Sequence, residues 1–524
     1  MNNMQISAQL IQTFLEFGIN EFCLCAGARN SPLIKTFEKN PQIKVFHFFE
    51  ERSAAFFALG RIQSTQRPLV VVTTSGTAVA ELLPAVVEAH YSGLPLILLT
   101  ADRPKNYRGT GAPQAIEHVG IFSSYVKKSL DLDSKEPSLS LLGEFLESSG
   151  PLHINVCFDE PLLDQEALVI ASQQQVNVTI KKTSESDKDN FNSTIKNFCQ
   201  NKKPLVILSG IEEKDHQLII KFLNKIKSPI FIEGTSGLRN HPDLDSFSLA
   251  VPEKMAKFLF LNKICDSVIR IGGIPTTRFW RDLEFDFKNI PVLSISNNSF
   301  TGLSRESKVI SPIDLLELAV IPDKEQFDSS WQAKDQELYK KLLNLFKKFP
   351  FSEPSLIHSL SKQLDKKNVY LGNSMPIREW DLAIDREVIV SKLIANRGAN
   401  GIDGQVSTFL GWAQPDCENW ALVGDLTALY DLSSLWIGKQ IAASNVVIVV
   451  INNGGGMIFN KLFKSEYFLN RHELDFSSWA KMWNWGYEKW EDIPLKNLKS
   501  GRTIIELVPN EKQTNLFWEE WDRE

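Results

Sequence analysis

Near-continuous apolar runs separated by amphipathic stretches organise the first third of the chain. Phe22-Cys23-Leu24-Cys25, Val45-Phe46-His47-Phe48-Phe49 and the runs 68–74 (PLVVVTT), 94–100 (LPLILLT) and 153–158 (HINVCF) read as strands. Thr77 to Tyr91 reads as a helix between two of them. Ahead of the first strand, Ile6, Leu10, Phe14 and Phe17 recur at helical spacing, which predicts an amphipathic first helix rather than a signal peptide. A strand that is apolar at every position is covered on both faces. The alternation therefore predicts a doubly wound parallel α/β sheet.

A polar stretch centred on Lys181 to Asn192 predicts a linker. Strand-like runs then resume at Leu205-Val206-Ile207-Leu208, Pro229-Ile230-Phe231-Ile232, Ser267 to Ile271 and Val292-Leu293-Ser294-Ile295. A second polar and helical passage, Asp323 to Lys348, leads to a third set: Val369-Tyr370-Leu371, Val388-Ile389-Val390, Ala421-Leu422-Val423, Val446 to Ile451 and Thr503 to Val508. No short-period repeat is visible. The expectation is three doubly wound α/β domains, at residues 1–178, 190–340 and 350–524.

Composition removes several function classes. The 524 residues carry a net charge of −6 and no long Lys/Arg block, which argues against nucleic acid and anionic membranes as partners. No apolar run approaches the roughly 20 residues needed to span a bilayer. The six cysteines are scattered without a Cys-x-x-Cys pair, as expected of free thiols in a reducing cytoplasm.

The candidate chemistry begins at Asp425. It follows the apolar run Trp420-Ala421-Leu422-Val423 in Gly424-Asp425-Leu426-Thr427. Asn452-Asn453-Gly454 ends the next apolar run, 27 positions after Asp425. That interval holds one helix and one strand, so both strand ends can reach the same edge of a parallel sheet. A carboxylate, an amide oxygen and a backbone carbonyl (Asp425, Asn452, Gly454) are hard ligands suited to Mg²⁺ or Mn²⁺ shared with a diphosphate. The same residues also suit two ordinary strand-to-helix turns, Asp as a cap and Asn-Asn-Gly as turn geometry. There is no P-loop and no dinucleotide glycine fingerprint.

Gly-Asp followed by Asn-Asn resembles the signature of thiamine diphosphate enzymes. That resemblance implies a glutamate just past an early strand, which hydrogen-bonds the aminopyrimidine ring. Glu51, in Phe48-Phe49-Glu50-Glu51-Arg52-Ser53, stands there. Further motifs are similar to the SEPHCHC synthase family of menaquinone and phylloquinone biosynthesis. They are Cys25-Ala26-Gly27-Ala28-Arg29-Asn30-Ser31-Pro32, Thr74-Ser75-Gly76-Thr77, Ala101-Asp102-Arg103-Pro104, Gly111-Ala112-Pro113-Gln114-Ala115, Gly372-Asn373-Ser374 with Arg378, and Asn396-Arg397-Gly398-Ala399-Asn400-Gly401-Ile402-Asp403-Gly404. The first and last domains are covered almost throughout; the middle one matches weakly.

The resemblance implies a transferase that decarboxylates 2-oxoglutarate and adds the resulting succinyl carbanion to isochorismate in a 1,4-addition. Both substrates are dicarboxylates, which arginines bind through paired hydrogen bonds. Arg29, Arg103, Arg378 and Arg397 lie in the motif loops, and Gln114 is the neutral polar residue that orients substrate or water. Ile402 would prop the bent cofactor. Ser374, Gly424, Leu426 and Thr427 would meet the diphosphate end, and Phe459 and Leu462 would line the pocket. The family's arrangement implies a homodimer, or dimer of dimers, with the cofactor held at the subunit interface. The central domain would need no cofactor.

Three departures stand out. Ala28 replaces the family's usual Ser, so any hydrogen bond from that hydroxyl is replaced or lost. Arg278, in Pro275-Thr276-Thr277-Arg278, corresponds to a middle-domain lysine, which keeps the charge and changes the hydrogen-bond geometry. The turn Gly454-Gly455-Gly456-Met457-Ile458-Phe459 is one residue longer than the family pattern. Two rival readings remain: another thiamine diphosphate 2-oxoacid decarboxylase or carboligase of the acetolactate-synthase type, and a non-catalytic paralogue.

Overall fold

The computed structural model describes residues 1–133, 142–146, 150–170, 185–319, 321, 329–460, 463, 465–494 and 501–523. Their strands form three parallel sheets, as the apolar runs require. The first has β1 (Glu21–Cys25), β2 (Lys44–Phe48), β3 (Leu69–Thr73), β4 (Leu96–Asp102), β5 (Lys128–Asp133) and β6 (Leu152–Cys157), in the order β2-β1-β3-β4-β6-β5. The second has β7 (Pro204–Leu208), β8 (Ile230–Ile232), β9 (Ser267–Ile271), β10 (Val292–Ile295) and β11 (Lys308–Ile310), ordered β11-β10-β9-β7-β8. The third has β12 (Asn368–Leu371), β13 (Lys392–Ile394), β14 (Asn419–Gly424), β15 (Val446–Ile451), β16 (Gly486–Trp490) and β17 (Arg502–Leu507), ordered β13-β12-β14-β15-β17-β16. Counted within each set, the first and third sheets have the same strand order. Both reverse direction of winding between their first and third strands, which opens a crevice at the carboxyl ends.

The chain divides into two compact units. One comprises residues 1–180, 398–416 and 427–444; the other comprises 181–397, 417–426 and 445–524. The first sheet lies in the first unit, around a core that includes Phe14, Phe22, Val70, Leu99 and Ile154. The other two sheets lie in the second unit, where one core runs from Leu205 and Phe231 through Trp380 to Trp420 and Val449. In the first unit the helix Gln405–Trp412 packs on the helix Glu51–Thr65 backbone to backbone. A Cβ on Gly60 would stand 1.9 Å from the Thr408 carbonyl oxygen, and one on Gly411 would stand 2.1 Å from that of Phe57.

Local expectations fail at four places. The helix expected over Thr77 to Tyr91 is two, Thr77–Ala80 and Leu83–Ser92. Pro84 has no N–H to give to the Ala80 carbonyl and its ring would clash there, so the helix restarts with Pro84 in its first turn. Val388 to Val390 is not a strand. Val388 is buried in the core, its carbonyl accepts from Asn240 Nδ2 at 3.0 Å, and the strand forms later, at β13. The linker expected at 181–192 is helical from its fifth residue, in the helix Glu185–Asn201; residues 181–184 lie outside the described set. Finally, β5, β11 and β16 are strands that no apolar run predicts. Each is an edge strand with a mixed burial pattern and no continuous apolar run. Among the described residues no helix is long and apolar enough to cross a membrane, and all six cysteines are free thiols.

Candidate active site

In the first unit the motif loops gather at the carboxyl ends of the first sheet. Glu50 and Glu51 sit together after β2, and the structure separates their roles. Glu50 caps the helix Glu51–Thr65: its side chain accepts from Arg52 N at 3.1 Å and Ser53 N at 2.9 Å. Arg52 turns towards Glu50, Asp431 and the Tyr430 carbonyl. The cap is made by Glu50 and not by the Glu51 carboxyl. Burial raises its pKa above the usual carboxylate range, and the charges of Glu50 and Glu81 add to the shift. Beside it, the Cys25 thiol is pushed up by burial and then by the Glu51 charge.

The loop after β1 is braced by Asn30, which accepts from Gly27 N and donates to the Cys25 carbonyl, both at 2.9 Å. Ala28 needs no hydroxyl for this. Arg29 lies next to the brace, donating to the Phe158 carbonyl at 3.2 Å and pairing with Glu160 at 3.1 Å. After β4, Arg103 Nε donates to the Pro113 carbonyl at 2.9 Å, which brings Arg103 beside exposed Gln114.

Two buried carboxylates clamp the loop that carries Ile402. Glu88 accepts from the amides of Gly398 and Ala399, both at 2.7 Å. Asp431 is 0% exposed and accepts from the amides of Gly404 at 2.9 Å, Val406 at 2.8 Å and Ser407 at 3.3 Å. Burial pushes Asp431 up to about 6. A carboxyl whose pKa rises on folding favours the fold most when protonated. This group's contribution is therefore fully present below the unfolded value of about 4 and is lost as pH rises through 6. Asp431→Asn should flatten the pH dependence of unfolding between those limits. At pH 7.5 it should cost about 2 kcal/mol, because a single amide oxygen cannot serve three N–H donors. Thermal unfolding across that range checks both expectations; a slope equal to wild type would refute them.

In the second unit the register Gly424↔Ile451 sets Asp425 and Asn452 at adjacent strand ends. Asp425 is 2% exposed. Its Oδ1 accepts from Leu426 N at 2.6 Å, its Oδ2 from Gly455 N at 2.8 Å, and His472 Nε2 lies 3.3 Å from Oδ2. Asn452 Nδ2 donates to Glu506 Oε1 and to the Leu474 carbonyl, both at 2.9 Å. With its amide nitrogen held on that side, Asn452 Oδ1 faces the glycine turn, 3.4 Å from Gly454 N. Gly455 has φ 138°, and a Cβ there would meet the Leu469 carbonyl oxygen at 2.3 Å. This donor set, one carboxylate, one amide oxygen and the Gly454 carbonyl, fits a divalent ion that also takes oxygens from a diphosphate. Among the described residues no three His, Cys, Asp or Glu converge to hold a metal unaided. Ser374 has φ 75° and ψ −123°, a conformation costly for any residue but glycine, at the start of the helix Met375–Ala383.

A cavity of about 370 Å³ lies in this unit, lined by Arg278, Arg378, Glu353, Asn453, Met457 and Trp521 among others. It brings two of the expected arginines to the Asn452-Asn453 turn. Arg378 donates to the Ser374 carbonyl at 2.6 Å, and Arg278 keeps a loose contact with Asp282 at 3.8 Å. Arg397 Nη1 donates to Asn373 Oδ1 at 2.7 Å, after β12. Phe459 clusters with Phe463 and Phe468 at 6.3 and 6.1 Å. Leu462 lies outside the described residues.

Two carboxylates near this turn escaped the sequence reading. Glu506 is buried within β17 and also accepts from Phe476 N at 2.9 Å and Tyr487 Oη at 2.8 Å. Glu353 accepts from Asn453 Nδ2 at 3.2 and 3.0 Å, and burial raises its pKa, with the Asp425 charge adding to the rise. A lone Glu inside the apolar run Thr503-Ile504-Ile505-Glu506-Leu507 was the available signal for the first.

A family model described as the thiamine pyrophosphate enzyme, N-terminal TPP binding domain, matches residues 4–121. A 2-succinyl-5-enolpyruvyl-6-hydroxy-3-cyclohexene-1-carboxylate synthase of Bdellovibrio bacteriovorus is 48% identical over 100% of this chain and 99% of its own. Proteins of the same name from Akkermansia muciniphila and Lysinibacillus sphaericus are 35% and 30% identical, over 95% and 93% of this chain and 94% and 90% of theirs. Similarity of that extent, with the thiamine pyrophosphate domain at the amino-terminal end, places the chain in the 2-succinyl-5-enolpyruvyl-6-hydroxy-3-cyclohexene-1-carboxylate synthase family.

Proposed function

We propose that this chain is a thiamine-diphosphate-dependent transferase that decarboxylates 2-oxoglutarate and adds the succinyl unit to isochorismate, giving 2-succinyl-5-enolpyruvyl-6-hydroxy-3-cyclohexene-1-carboxylate for menaquinone or phylloquinone synthesis. The observation that carries this reading is end-to-end similarity to synthases of that name. Bound thiamine diphosphate supplies the electron sink for carbon–carbon cleavage and formation; the protein supplies placement and electrostatics.

Glu51 holds and moves the proton at the aminopyrimidine ring, a task suited to a carboxyl whose pKa is raised by burial. Ile402 would support the cofactor from a loop fixed by Glu88 and Asp431. Ser374, Gly424, Leu426 and Thr427 meet the diphosphate, and Asp425, Asn452 and the Gly454 carbonyl hold Mg²⁺ or Mn²⁺. Arg278 and Arg378 take substrate carboxylate in their shared cavity. Arg29, Arg103 and Arg397 do the same at their loops, Gln114 orients substrate or water, and Phe459 lines the apolar side. The working form is a cytoplasmic homodimer or dimer of dimers with sites completed across subunits, built from domains at 1–178, 190–340 and 350–524.

An acetolactate-synthase-like carboligase would have little use for so many arginines, and intact Glu51, Asp425 and Asn452 speak against a silent paralogue. With Mg²⁺ and thiamine diphosphate, the protein should consume isochorismate only when 2-oxoglutarate is present, and should prefer 2-oxoglutarate to pyruvate. Unchanged isochorismate with cofactor demonstrably bound would overturn the proposal.

A further inference from the structure

The first unit contains a buried polar chain to which none of the roles above refers. His118 is 0% exposed, and its Nε2 accepts the Gly76 N–H at 3.2 Å. A backbone N–H only donates, so Nε2 bears no proton. The neutral ring carries its proton on Nδ1, which donates to Asn155 Oδ1 at 2.9 Å. Asn155 is oriented by acids on the other side: its Nδ2 donates to Asp102 Oδ2 at 3.1 Å and Asp131 Oδ1 at 2.9 Å. Thr100 gives its only hydroxyl proton to Asn155 Oδ1 at 2.9 Å, so it accepts from His153 Nε2 at 2.8 Å. His153 then turns an unprotonated Nδ1 to the Ser129 hydroxyl at 3.4 Å, and burial pushes its pKa down to about 3, which keeps it neutral. One arrangement of protons satisfies every link.

The far end of the chain is the Gly76 amide. Gly76 has φ 92°, and a Cβ placed on it would lie 3.3 Å from both Cα and Cβ of Gln114. Gln114 is itself left-handed, with φ 56°. The Gln114 backbone therefore rests on Gly76, and Gly76 is held from behind by His118. We infer that His118 is a positioning residue for Gln114: its neutral, Nδ1-protonated imidazole fixes the Gly76 amide and, through it, the seat of Gln114. The inference rests on the role proposed above for Gln114.

The other tautomer, with the proton on Nε2, would set two N–H groups against each other and displace the seat. The groups facing the ring are Asp102 on β4, whose Oδ1 is 3.8 Å from Nδ1, and Asn155 and His153 on β6. Behind them stand Asp131 on β5, Arg108 bridging Asp102 and Asp131 at 3.4 and 2.8 Å, Lys105 at 3.5 Å from Asp131, and the Cys157 thiol at 3.3 Å from Arg108.

Three variants test the proposal. His118→Gln offers one acceptor and one donor in the same sense. It should keep kcat within about 3-fold of wild type. His118→Leu leaves the Gly76 N–H unpaired. It should lower kcat about 10-fold to 100-fold with little change in KM for 2-oxoglutarate. In a Gln114→Ala background the same change should cost little more. An equal loss with and without Gln114, or a loss in His118→Gln as large as in His118→Leu, would overturn the proposal. A second readout needs no turnover. In ¹⁵N-histidine-labelled protein, the resonances that vanish in His118→Gln should report an Nδ1–H tautomer. An Nε2–H tautomer would overturn the inference whatever the enzyme's substrates prove to be.

Discussion

Glu51→Gln should stop turnover and leave the cofactor bound. The variant keeps the size of the side chain and one hydrogen-bonding oxygen but cannot exchange a proton. A loss of at least about 100-fold in kcat is expected, the usual scale for removing a general acid–base group. The structure gives this prediction an internal control. Glu50, next in sequence, is committed to the helix cap, with Ser53 and Ser433 also on its carboxylate. Glu50→Gln should therefore lower thermal stability by about 1 kcal/mol through the cap, with a much smaller effect on kcat. Steady-state rates paired with cofactor titrations separate the two. A Glu51→Gln enzyme at wild-type rate would refute the assignment.

The second large effect is expected at Asp425. Asp425→Ala removes the only carboxylate of the donor set and also frees the amides of Leu426 and Gly455. Thiamine diphosphate affinity in the presence of Mg²⁺ should fall at least about 100-fold, or roughly 2.7 kcal/mol. Asp425→Asn keeps the shape and one acceptor oxygen while removing the charge, so it should lose most of the same metal dependence with less damage to the turn. Cofactor titrations over a range of Mg²⁺ concentrations check both. Identical titrations for wild type and variants would exclude a metal role for this carboxylate.

The parts of this fold legible from the sequence were those whose physics is local. Central strands such as β3 and β15 are buried at every position, and four to six apolar residues in a row announce that. Edge strands such as β5, with five of its six residues at least partly exposed, look like loops until their partner is known. The same division runs through the site. The placement of Asp425 and Asn452 at adjacent strand ends is legible because each follows a strand-like run at a spacing that one α/β unit explains. The grip of Glu88 and Asp431 on the Ile402 loop is not, because each accepts from amides remote in sequence. A carboxylate that grips a distant backbone leaves no local pattern.

The contact between Gly455 and the backbone of Leu469 and Asn470 has a thermodynamic consequence. The Gly456 amide donates to the Leu469 carbonyl at 2.5 Å, and the His472 amide to that of Gly454 at 3.3 Å, so residues 469–472 and the glycine turn share hydrogen bonds. Ordering one restrains the other, and linkage makes the coupling reciprocal. On the metal role proposed for this turn, loading Mg²⁺ should slow amide exchange at 469–472. Any change that loosens this segment, even far from the ion, should weaken cofactor retention by the same free energy.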